Sequence, residues 1–179
     1  MDITKVYGTF ISGSSPDGCA NMKYSASFET PVGVMTIVEC DGAIVGVMFG
    51  EKKIGENKRT KIIGQAISQL TEYFSKKRKN FDLPISFNGT MFQKRVWEEL
   101  LKIPYGETRT YKELAAAIGN PKAVRAVGGA NNKNSLAIIV PCHRVIGSGG
   151  ALVGYADGIE IKAKLLELES TPSPFPYLS

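Results

Sequence analysis

The residues best suited to covalent chemistry are Cys142 and His143, which stand side by side after the apolar run 138–140 and Pro141. His143 is the only histidine in the chain. Thiolate chemistry needs a sulfur, a base that lowers its pKa, and a scaffold that holds both. The competing interpretation is a buried, inert thiol beside a surface imidazole, because free cysteine is among the most buried residue types. The Cys-His dipeptide alone favours an inert thiol, so the choice between the two interpretations depends on the elements around it.

Composition sets the broad class of protein. The 179 residues are 43% hydrophobic and 22% charged, which is typical of globular proteins and enough for one domain or two small ones. The net charge of +5 suits a polyanionic partner, although many proteins without a nucleic-acid role share it. No basic-then-apolar signal segment and no membrane-length apolar run occurs. We therefore expect no membrane association and a cytoplasmic protein, or a nuclear one in a eukaryote.

The three cysteines, Cys19, Cys40 and Cys142, form no Cys-x-x-Cys pair. We therefore expect no disulfide framework and a reducing compartment. A conventional structural zinc site cannot be assembled from one histidine and no close cysteine pair, so the sequence predicts no metal.

The first half of the chain has the pattern of a β-meander followed by a helix. Residues 24–49 alternate in the manner of strands, with a hairpin signal at Asp41-Gly42, and residues 60–78 carry a helical apolar stripe. The basic run 76–79 is a localisation signal, a DNA contact, or a set of cations that complement the helix C-terminus, and we favour the last. Residues 80–89 indicate a linker or an edge strand, where we place the domain boundary.

The second half is helical, with clear start signals. Thr90–Gln93 and Thr110–Glu113 are capping boxes, and the second helix ends at Gly119. Asn120-Pro121 then predicts the N-cap and first residue of a third helix. Two short helices joined by such a turn form a helix-turn-helix unit, although a plain αα-hairpin is the commoner structure.

The third helix is unusual because small or apolar residues follow its one arginine, Arg125. Readers of the major groove carry long polar side chains. Small residues instead allow a close approach of the backbone to a duplex, which suits minor-groove binding and base extrusion. Close packing between helices explains the glycines equally well. A last helix, capped by Asp157, is predicted to end near Glu169.

Taken together, these motifs resemble the O6-alkylguanine-DNA alkyltransferases, or methylated-DNA–protein-cysteine methyltransferases, which are direct-reversal DNA repair proteins. The resemblance spans residues 90–169 and is weaker over 24–80. It is carried by Phe92-Gln93, Val96-Trp97, 103–106, Thr110-Tyr111, 125–128, Asn134, 141–146, Gly154-Tyr155, Lys162, Leu165-Leu166 and Glu169.

The resemblance implies an α+β fold. A small ribonuclease-H-like α/β N-terminal domain precedes a mostly helical C-terminal domain with a winged-helix-like helix-turn-helix unit. We accordingly divide the chain into an N-terminal arm (1–22), an N-terminal domain (23–85), a DNA-binding and alkyltransferase domain (86–170) and an extended proline-rich tail (171–179).

The resemblance also implies an activity. The alkyl group of O6-alkylguanine, and also of O4-alkylthymine, in double-stranded DNA passes irreversibly to Cys142 after the nucleotide flips through the minor groove. No cofactor and no obligate protein partner are implied, and we expect a monomer. Water does not release an alkyl group from a thioether, so each molecule acts once, as a suicide enzyme.

Roles for individual residues follow from the same resemblance. Cys142 accepts the alkyl group, His143 is the base that acts through a water, and Glu169 orients the imidazole. The Tyr111 hydroxyl donates to the base, and Asn134 ties the halves of the site together by backbone hydrogen bonds. Arg125 fills the gap left by the flipped base.

The remaining implied contacts fall into two sets. Substrate-binding residues are Pro141, Val145, Tyr155, Ala156 and Asp157. DNA-binding residues are Arg125, Thr110, Tyr111, Ala123, Ala126, Gly128, Gly129 and Asn131.

Two positions depart from the family pattern. Ser135 follows Asn134 where the family usually has proline. Asp157 replaces a common glycine and either narrows access for bulky adducts or caps the last helix, and we favour the cap. Two alternative functions remain: a non-catalytic lesion sensor or helix-turn-helix DNA-binding protein, against which Cys142 argues, and a cysteine hydrolase or thiol redox enzyme.

Overall fold

The computed structural model describes Cys19 and residues 21–170. Most of the predicted N-terminal arm, and the predicted tail from 171, lie outside the described residues. The chain divides into two compact units. The first contains the described residues up to Gly89 together with Ser135–Ile139, and the second contains Thr90–Asn134 and the described residues from Val140 onward. A single cut near residue 85 therefore does not describe the division, because a short later segment returns to the first unit.

The first unit is built on a four-stranded sheet of order β3-β2-β1-β4. The strands are β1 (Tyr24–Thr30), β2 (Gly33–Cys40), β3 (Ala43–Phe49) and β4 (Glu56–Asn57). The first three form an antiparallel meander and β4 runs parallel to β1. The strand pattern predicted for residues 24–49 is confirmed. The turn at Asp41-Gly42 has positive φ at both residues, as a tight hairpin requires.

Two further segments pair with β3. The backbone of Ile44 exchanges hydrogen bonds with Pro84 and Ser86 at 2.8 and 3.0 Å. The Val47 amide donates to the Ser135 carbonyl at 2.8 Å, and the Ala137 amide donates to the Val47 carbonyl at 3.0 Å. This pairing explains why residues 135–139 belong to the first unit.

Helix α1 (Lys61–Phe74) packs on the sheet. Thr60 caps it, and Ile63, Ala66, Leu70 and Tyr73 are buried. The helix ends before the basic run, and its last turn contains no basic residue. Residues 76–79 therefore follow the helix directly, and the interpretation that they complement its C-terminus stays a prediction. Arg78 donates to the Glu72 carboxylate at 2.7 Å.

The second unit begins with the two predicted capping boxes, and both are confirmed. Helix α2 (Met91–Leu100) starts after Thr90, and helix α3 (Tyr111–Ala117) starts after Thr110. Helix α3 ends at Ala117 with Ile118 as its C-cap, and Gly119 adopts a φ of 75°, the left-handed conformation expected after a helix.

Helix α4 (Val124–Asn132) starts later than predicted. Its N-cap is Ala123, because the Ala123 amide donates to the Asn120 carbonyl at 2.9 Å and closes a turn over Pro121. The predictions of Asn120 as the N-cap and Pro121 as the first helical residue are therefore wrong. Helices α3 and α4 pack together as the predicted pair. The Trp97 indole donates to the Ala130 carbonyl at 2.9 Å and fixes α4 against α2.

A small parallel sheet and a last helix complete the unit. Strands β5 (Arg109–Thr110) and β6 (Val145–Ile146) pair, and helix α5 spans Ile159–Glu169. The N-cap of α5 is Gly158, with φ of 101°, so the prediction that Asp157 caps this helix is wrong. None of the helices among the described residues is long and apolar enough to cross a membrane.

Candidate active site

Cys142 lies at the start of a single 3-10 turn, Cys142–Arg144, that leads directly into β6. The Cys142 amide donates to the Val140 carbonyl at 2.8 Å, and the Val145 amide donates to the Cys142 carbonyl. Because β6 pairs with β5, the turn is anchored at its exit. The cysteine is 5% exposed, so a reagent must enter an enclosed region to reach the sulfur.

The sulfur of Cys142 has a hydrogen-bond donor beside it. Asn134 Nδ2 donates to Cys142 Sγ at 3.0 Å and to the Val140 carbonyl at 2.8 Å. Burial raises the pKa of the Cys142 thiol to about 11, against the lowering effect of the Asn134 hydrogen bond. Asp157 raises this pKa further, and Lys162 lowers it. The resting group is therefore a thiol, and it needs a base.

His143 is fully buried and forms one side-chain hydrogen bond among the described residues, from Nε2 to Glu169 Oε1 at 2.8 Å. Burial lowers the pKa of His143, so the ring is neutral near pH 7. The carboxylate can only accept, which assigns the ring proton to Nε2 and leaves a lone pair on Nδ1. Nδ1 is buried and has no hydrogen-bond partner within the described part of the chain. The imidazole is therefore held as a base with a free acceptor atom.

Glu169 is surrounded by donors. Arg144 Nε donates to Oε2 at 2.8 Å and Arg144 Nη2 to Oε1 at 2.9 Å, while the Gly106 amide lies 3.1 Å from Oε2. Burial alone raises the pKa of Glu169, but the hydrogen bonds and charges of His143 and Arg144 hold it well below the usual range. The carboxylate is therefore ionised and its orientation is fixed from three sides.

The sequence analysis missed two buried cations. Arg144 also donates to the Ile103 carbonyl at 2.6 Å, so it ties the Cys142 turn to the loop after α2. Lys162 Nζ donates to the carbonyls of Val145 and Val153, each at 2.6 Å. Burial lowers the pKa of Lys162 to about 8. The only available signal was their place within the matching motifs, because the burial of a charge depends on distant packing.

Two tyrosines lie next to the reactive turn. The Tyr111 hydroxyl donates to the Gly154 carbonyl at 2.9 Å. A Cβ added at Gly154 would lie 2.8 Å from the Tyr111 hydroxyl oxygen. Gly154 also has a φ of 64°, so a larger residue there would be strained and would displace the Tyr111 hydroxyl. Burial raises the pKa of Tyr155, and the Cys142 charge and a hydrogen bond with Cys142 raise it further. Tyr155 thus contacts the sulfur region directly.

The other predicted substrate residues divide by exposure. Pro141 and Val145 are buried, so their side chains are part of the core, and the Val145 carbonyl is already bonded to Lys162. Ala156 and Asp157 are exposed. The Asp157 carboxylate acts on the pKa of both Cys142 and Tyr155, which places it on the side of the thiol.

Most of the predicted DNA contacts are exposed or half-buried. On α4, Arg125, Ala126 and Gly129 are exposed. Partial exposure is shared by Thr110, Tyr111, Ala123 and Gly128. Asn131 differs, because it is 2% exposed and donates to the Cys142 carbonyl. The prediction that its side chain faces DNA is therefore corrected: the side chain lies among the active-site groups.

In the first unit, Cys19 and Cys40 are joined by a disulfide, contrary to the expectation of none. The disulfide depends on the pairing of β1 with β2, which sets Tyr24 opposite Glu39 and brings the chain before β1 to the end of β2, 21 positions further along the chain. Ligand atoms of Cys19, Cys40 and Asp41 lie within 4.8 Å of one another. Sulfurs joined to each other are not thiolate ligands, so this cluster does not form a metal site in the described state.

Comparison with known proteins agrees with the division of the chain into two units. Residues 91–171 match the family described as 6-O-methylguanine DNA methyltransferase, DNA binding domain, and residues 23–87 match the ribonuclease-like domain of the same family. The chain is 48% identical over 158 residues to the constitutive methylated-DNA–protein-cysteine methyltransferase of Bacillus subtilis, covering 83% of this chain and 96% of that protein. It is 50% identical over 156 residues to the Methanosarcina acetivorans methylated-DNA–protein-cysteine methyltransferase, covering 83% and 99%.

Solved structures give the same result. The Mycobacterium tuberculosis O6-methylguanine methyltransferase superposes with a TM-score of 0.78 at 41% identity, covering 86% of this chain and 96% of that one. The Mycobacterium tuberculosis OGT structure in complex with DNA has a TM-score of 0.75 at 43% identity, covering 84% and 95%. With both domains matched and relatives near half identical over most of their length, the chain belongs to the 6-O-methylguanine DNA methyltransferase family.

Proposed function

We propose that this protein repairs DNA by transferring the alkyl group of O6-alkylguanine in a duplex to Cys142 Sγ. The observation that carries the proposal is the buried series Cys142, His143 and Glu169, in which an ionised carboxylate holds a neutral imidazole beside a thiol. The series lies in the unit that matches the family's DNA binding domain. The named activity of relatives at 48–50% identity supports it.

Activation of the thiol comes first. His143 Nδ1 has a free lone pair, and a buried polar atom of this kind is commonly satisfied by an ordered water. In our proposal, such a water passes the Cys142 proton to Nδ1. The resulting imidazolium is stabilised by Glu169, whose charge is kept in place by Arg144.

Alkyl transfer follows in a single displacement. The thiolate forms a bond to the alkyl carbon while the bond between that carbon and guanine O6 breaks, and its electron pair stays with the base. The Tyr111 hydroxyl donates to the base and reduces the charge that develops there. To do so it must leave the carbonyls of Gly154 and Val153, its present acceptors. The product thioether is not hydrolysed, so one molecule performs one transfer.

Access to the base requires extrusion from the duplex. The exposed face of α4 carries small residues, Ala126 and Gly129, which let the helix backbone approach DNA closely. Arg125 is exposed on the same helix and has the reach to occupy the vacated stack. We include O4-alkylthymine as a second substrate, a monomeric state, and location in the cytoplasm, or in the nucleus of a eukaryote, in the proposal.

The decisive experiment mixes the protein with a duplex that carries one O6-methylguanine and records intact mass and peptide masses. We expect one methyl group per molecule on the Cys142 peptide, restored guanine and no second turnover. Cys142→Ser is the matched control and should bind the same duplex without gaining mass, with binding that weakens steeply with salt. A wild-type protein that binds the lesion and stays unmodified would support the lesion sensor instead. Repeated turnover on a small molecule would support a hydrolase.

A further inference from the structure

The first unit contains a polar cavity of about 360 Å³ that alkyl transfer does not use. It is bordered by β1 and by the segment 51–57, which connects β3 to β4 and includes β4. The volume suits one small molecule, because pockets that hold small ligands measure roughly 300–1,000 Å³. The polar residues that line the cavity are Ser25, Ser27, Glu51, Lys52, Lys53 and Asn57.

The segment that closes the cavity is fixed to the sheet at both ends. Near its start, the Lys52 amide donates to Thr36 Oγ1 at 2.9 Å. Near its end, the Glu56 amide donates to the Lys23 carbonyl at 2.9 Å. Gly55 has a φ of 66°, and a Cβ added there would overlap the Lys23 carbonyl, so the segment lies directly on the start of β1. The walls of the cavity are therefore in place before any ligand binds.

The Ser27 hydroxyl is a hydrogen-bond acceptor toward the cavity. Ser27 Oγ lies 2.9 Å from Thr36 Oγ1, and either oxygen could donate by geometry alone. Thr36 Oγ1, however, donates to the Gly50 carbonyl at 2.8 Å, which uses its single proton. Ser27 is therefore the donor of the pair, and its lone pairs remain for a ligand.

The Ser25 hydroxyl is buried and unpaired. Ser25 is 4% exposed, and it shares a face of β1 with Ser27 because alternate residues of a strand point the same way. Unlike Ser27, it forms no side-chain hydrogen bond with any residue that the structure describes. Asn57 lies opposite Ser25 in the β1–β4 pair, so its side chain is on the same face. Native proteins leave few buried polar groups unpaired, so the Ser25 hydroxyl indicates a ligand in the cavity.

The other border of the cavity carries two cations. Lys52 and Lys53 are exposed, and no ion pair within the described ranges uses either ammonium group. An ammonium group binds phosphate as a point charge. Glu51 borders the same cavity, and its carboxylate only accepts hydrogen bonds. The lining thus presents cations and neutral donors to an anion, together with acceptors to hydroxyl groups.

We propose that this cavity binds a small phosphomonoester with a hydroxylated body, of the class of sugar phosphates. The terminal oxygens of the phosphate accept from Lys52, Lys53, Ser25 and Asn57. A carboxylate ligand has only two oxygens for these four groups. The hydroxyl groups of the sugar donate to Ser27 and Glu51, which a bare anion would leave unmatched. The site is made by residues of the first unit alone, so it does not depend on Cys142.

Binding of ribose 5-phosphate to the full chain tests the proposal, measured by calorimetry and by the amide chemical shifts of isotope-labelled protein. Methyl phosphate is the matched ligand, because it has the same charged group and no hydroxyl. We expect ribose 5-phosphate to bind more tightly by roughly 2- to 12-fold for each hydroxyl that is matched. The largest shifts should fall on β1 and on residues 51–57.

Variants separate the cavity from general surface charge. Ser25→Ala should weaken ribose 5-phosphate binding by at least ~10-fold, as expected for a buried hydrogen bond to a charged group. Lys52→Gln combined with Lys53→Gln should weaken it by roughly 2- to 30-fold, a smaller effect per residue because exposed charges are screened. The control is Lys61→Gln combined with Lys77→Gln, which removes the same charge from exposed positions of the same unit and should leave binding unchanged.

Three results would overturn the inference. The first is no binding of ribose 5-phosphate at millimolar concentrations. The second is an equal loss of binding in both lysine pairs, which would mean that diffuse positive charge attracts the phosphate. The third is methyl phosphate binding as tightly as ribose 5-phosphate, which would mean that the acceptors Ser27 and Glu51 contact no hydroxyl.

Discussion

His143 and Glu169 form a fully enclosed pair, with Nε2 and Oε1 2.8 Å apart, although 26 residues separate them in the chain. Helix α5 brings them together because Glu169 is its last residue. Arg144, the neighbour of His143, binds the same carboxylate. The turn that holds the thiol is thereby fastened to the end of the last helix, so the position of the base and the stability of the unit depend on one side chain.

Glu169→Gln should slow methyl transfer by roughly 100-fold or more, the lower end of what a positioned base contributes. The amide no longer stabilises an imidazolium, and it leaves the buried Arg144 charge without a counter-charge. We expect that unpaired charge to cost about 3–5 kcal/mol of stability. Single-turnover rates and thermal melts check both effects, with Glu167→Gln on the same helix as the control. A variant that melts normally and reacts at the wild-type rate contradicts the assignment.

Acid should destabilise the fold in two steps. Burial lowers the pKa of His143 below 6.5. Below pH 6.5 the imidazole of the unfolded chain therefore takes up a proton while the native imidazole stays neutral, which favours unfolding. The pKa of Glu169 is also held below its ordinary value near 4.5, so a second loss follows as pH falls through that range. Stability is therefore present near neutral pH and is lost on acidification. Melting temperatures between pH 8 and pH 3 or lower test this, and Glu169→Gln should lack the lower step.

Asn134→Leu should displace the pH profile of the reaction. The variant loses the 3.0 Å hydrogen bond to Cys142 Sγ, which lowers the thiol pKa. A hydrogen bond to a charged group is worth about 1.5–3 kcal/mol, or roughly one to two pKa units. The thiolate fraction at neutral pH should therefore fall at least ~10-fold. Rates measured from pH 6.5 to 9.5 should follow the wild-type curve moved to higher pH, with exposed Asn132→Ala unchanged. A variant with the wild-type profile contradicts the role.

Local rules predicted those features that depend on neighbours in sequence. Thr90 and Thr110 each satisfy their own helix N-terminus with a partner three residues on, so both helix starts were correct. Asn120-Pro121 also has the residue types of a helix start. The Ala123 amide, however, donates to the Asn120 carbonyl and closes a turn, and the helix starts only after that turn. The helix-capping role expected for Asp157 failed similarly, because Gly158 takes that position.

Features that depend on distant packing could not be predicted from local pattern. The family resemblance pointed to Cys142, His143 and Glu169, and the structure brings the last two into contact. Nothing in a composition or a spacing indicates that Arg144 is buried against a carboxylate 25 residues away. The disulfide is a similar case, since Cys19 meets Cys40 only through the pairing of β1 with β2, in which Tyr24 lies opposite Glu39. The burial of Arg144 and the pairing of Cys19 with Cys40 therefore depend on tertiary contacts between segments distant in sequence.

Arg125→Ala should separate base extrusion from chemistry. Arg125 is exposed on α4 and lies outside the buried hydrogen-bond network, so its loss should leave the thiol and its base intact. Unstacking a base costs a few kcal/mol, and losing part of that compensation should slow repair of duplex DNA by roughly 10- to 100-fold. Reaction with free O6-methylguanine should change less than about twofold. Exposed Lys122→Ala is the control for general loss of charge. Equal losses on duplex and free base would remove Arg125 from the flipping step.

Methylation of Cys142 should destabilise the protein that carries it out. The thiol is 5% exposed and is in contact with Asn134 and Tyr155, so an added methyl group must displace packed atoms. Overpacking of this kind costs about 1–3 kcal/mol, which corresponds to a melting temperature lower by roughly 2–12 °C in a chain of this size. Melting before and after reaction measures the effect, with Cys142→Ser exposed to the same duplex as the control. An unchanged melting temperature in fully methylated protein would mean that the site holds spare volume, and the spent molecule would then be as persistent as the active one.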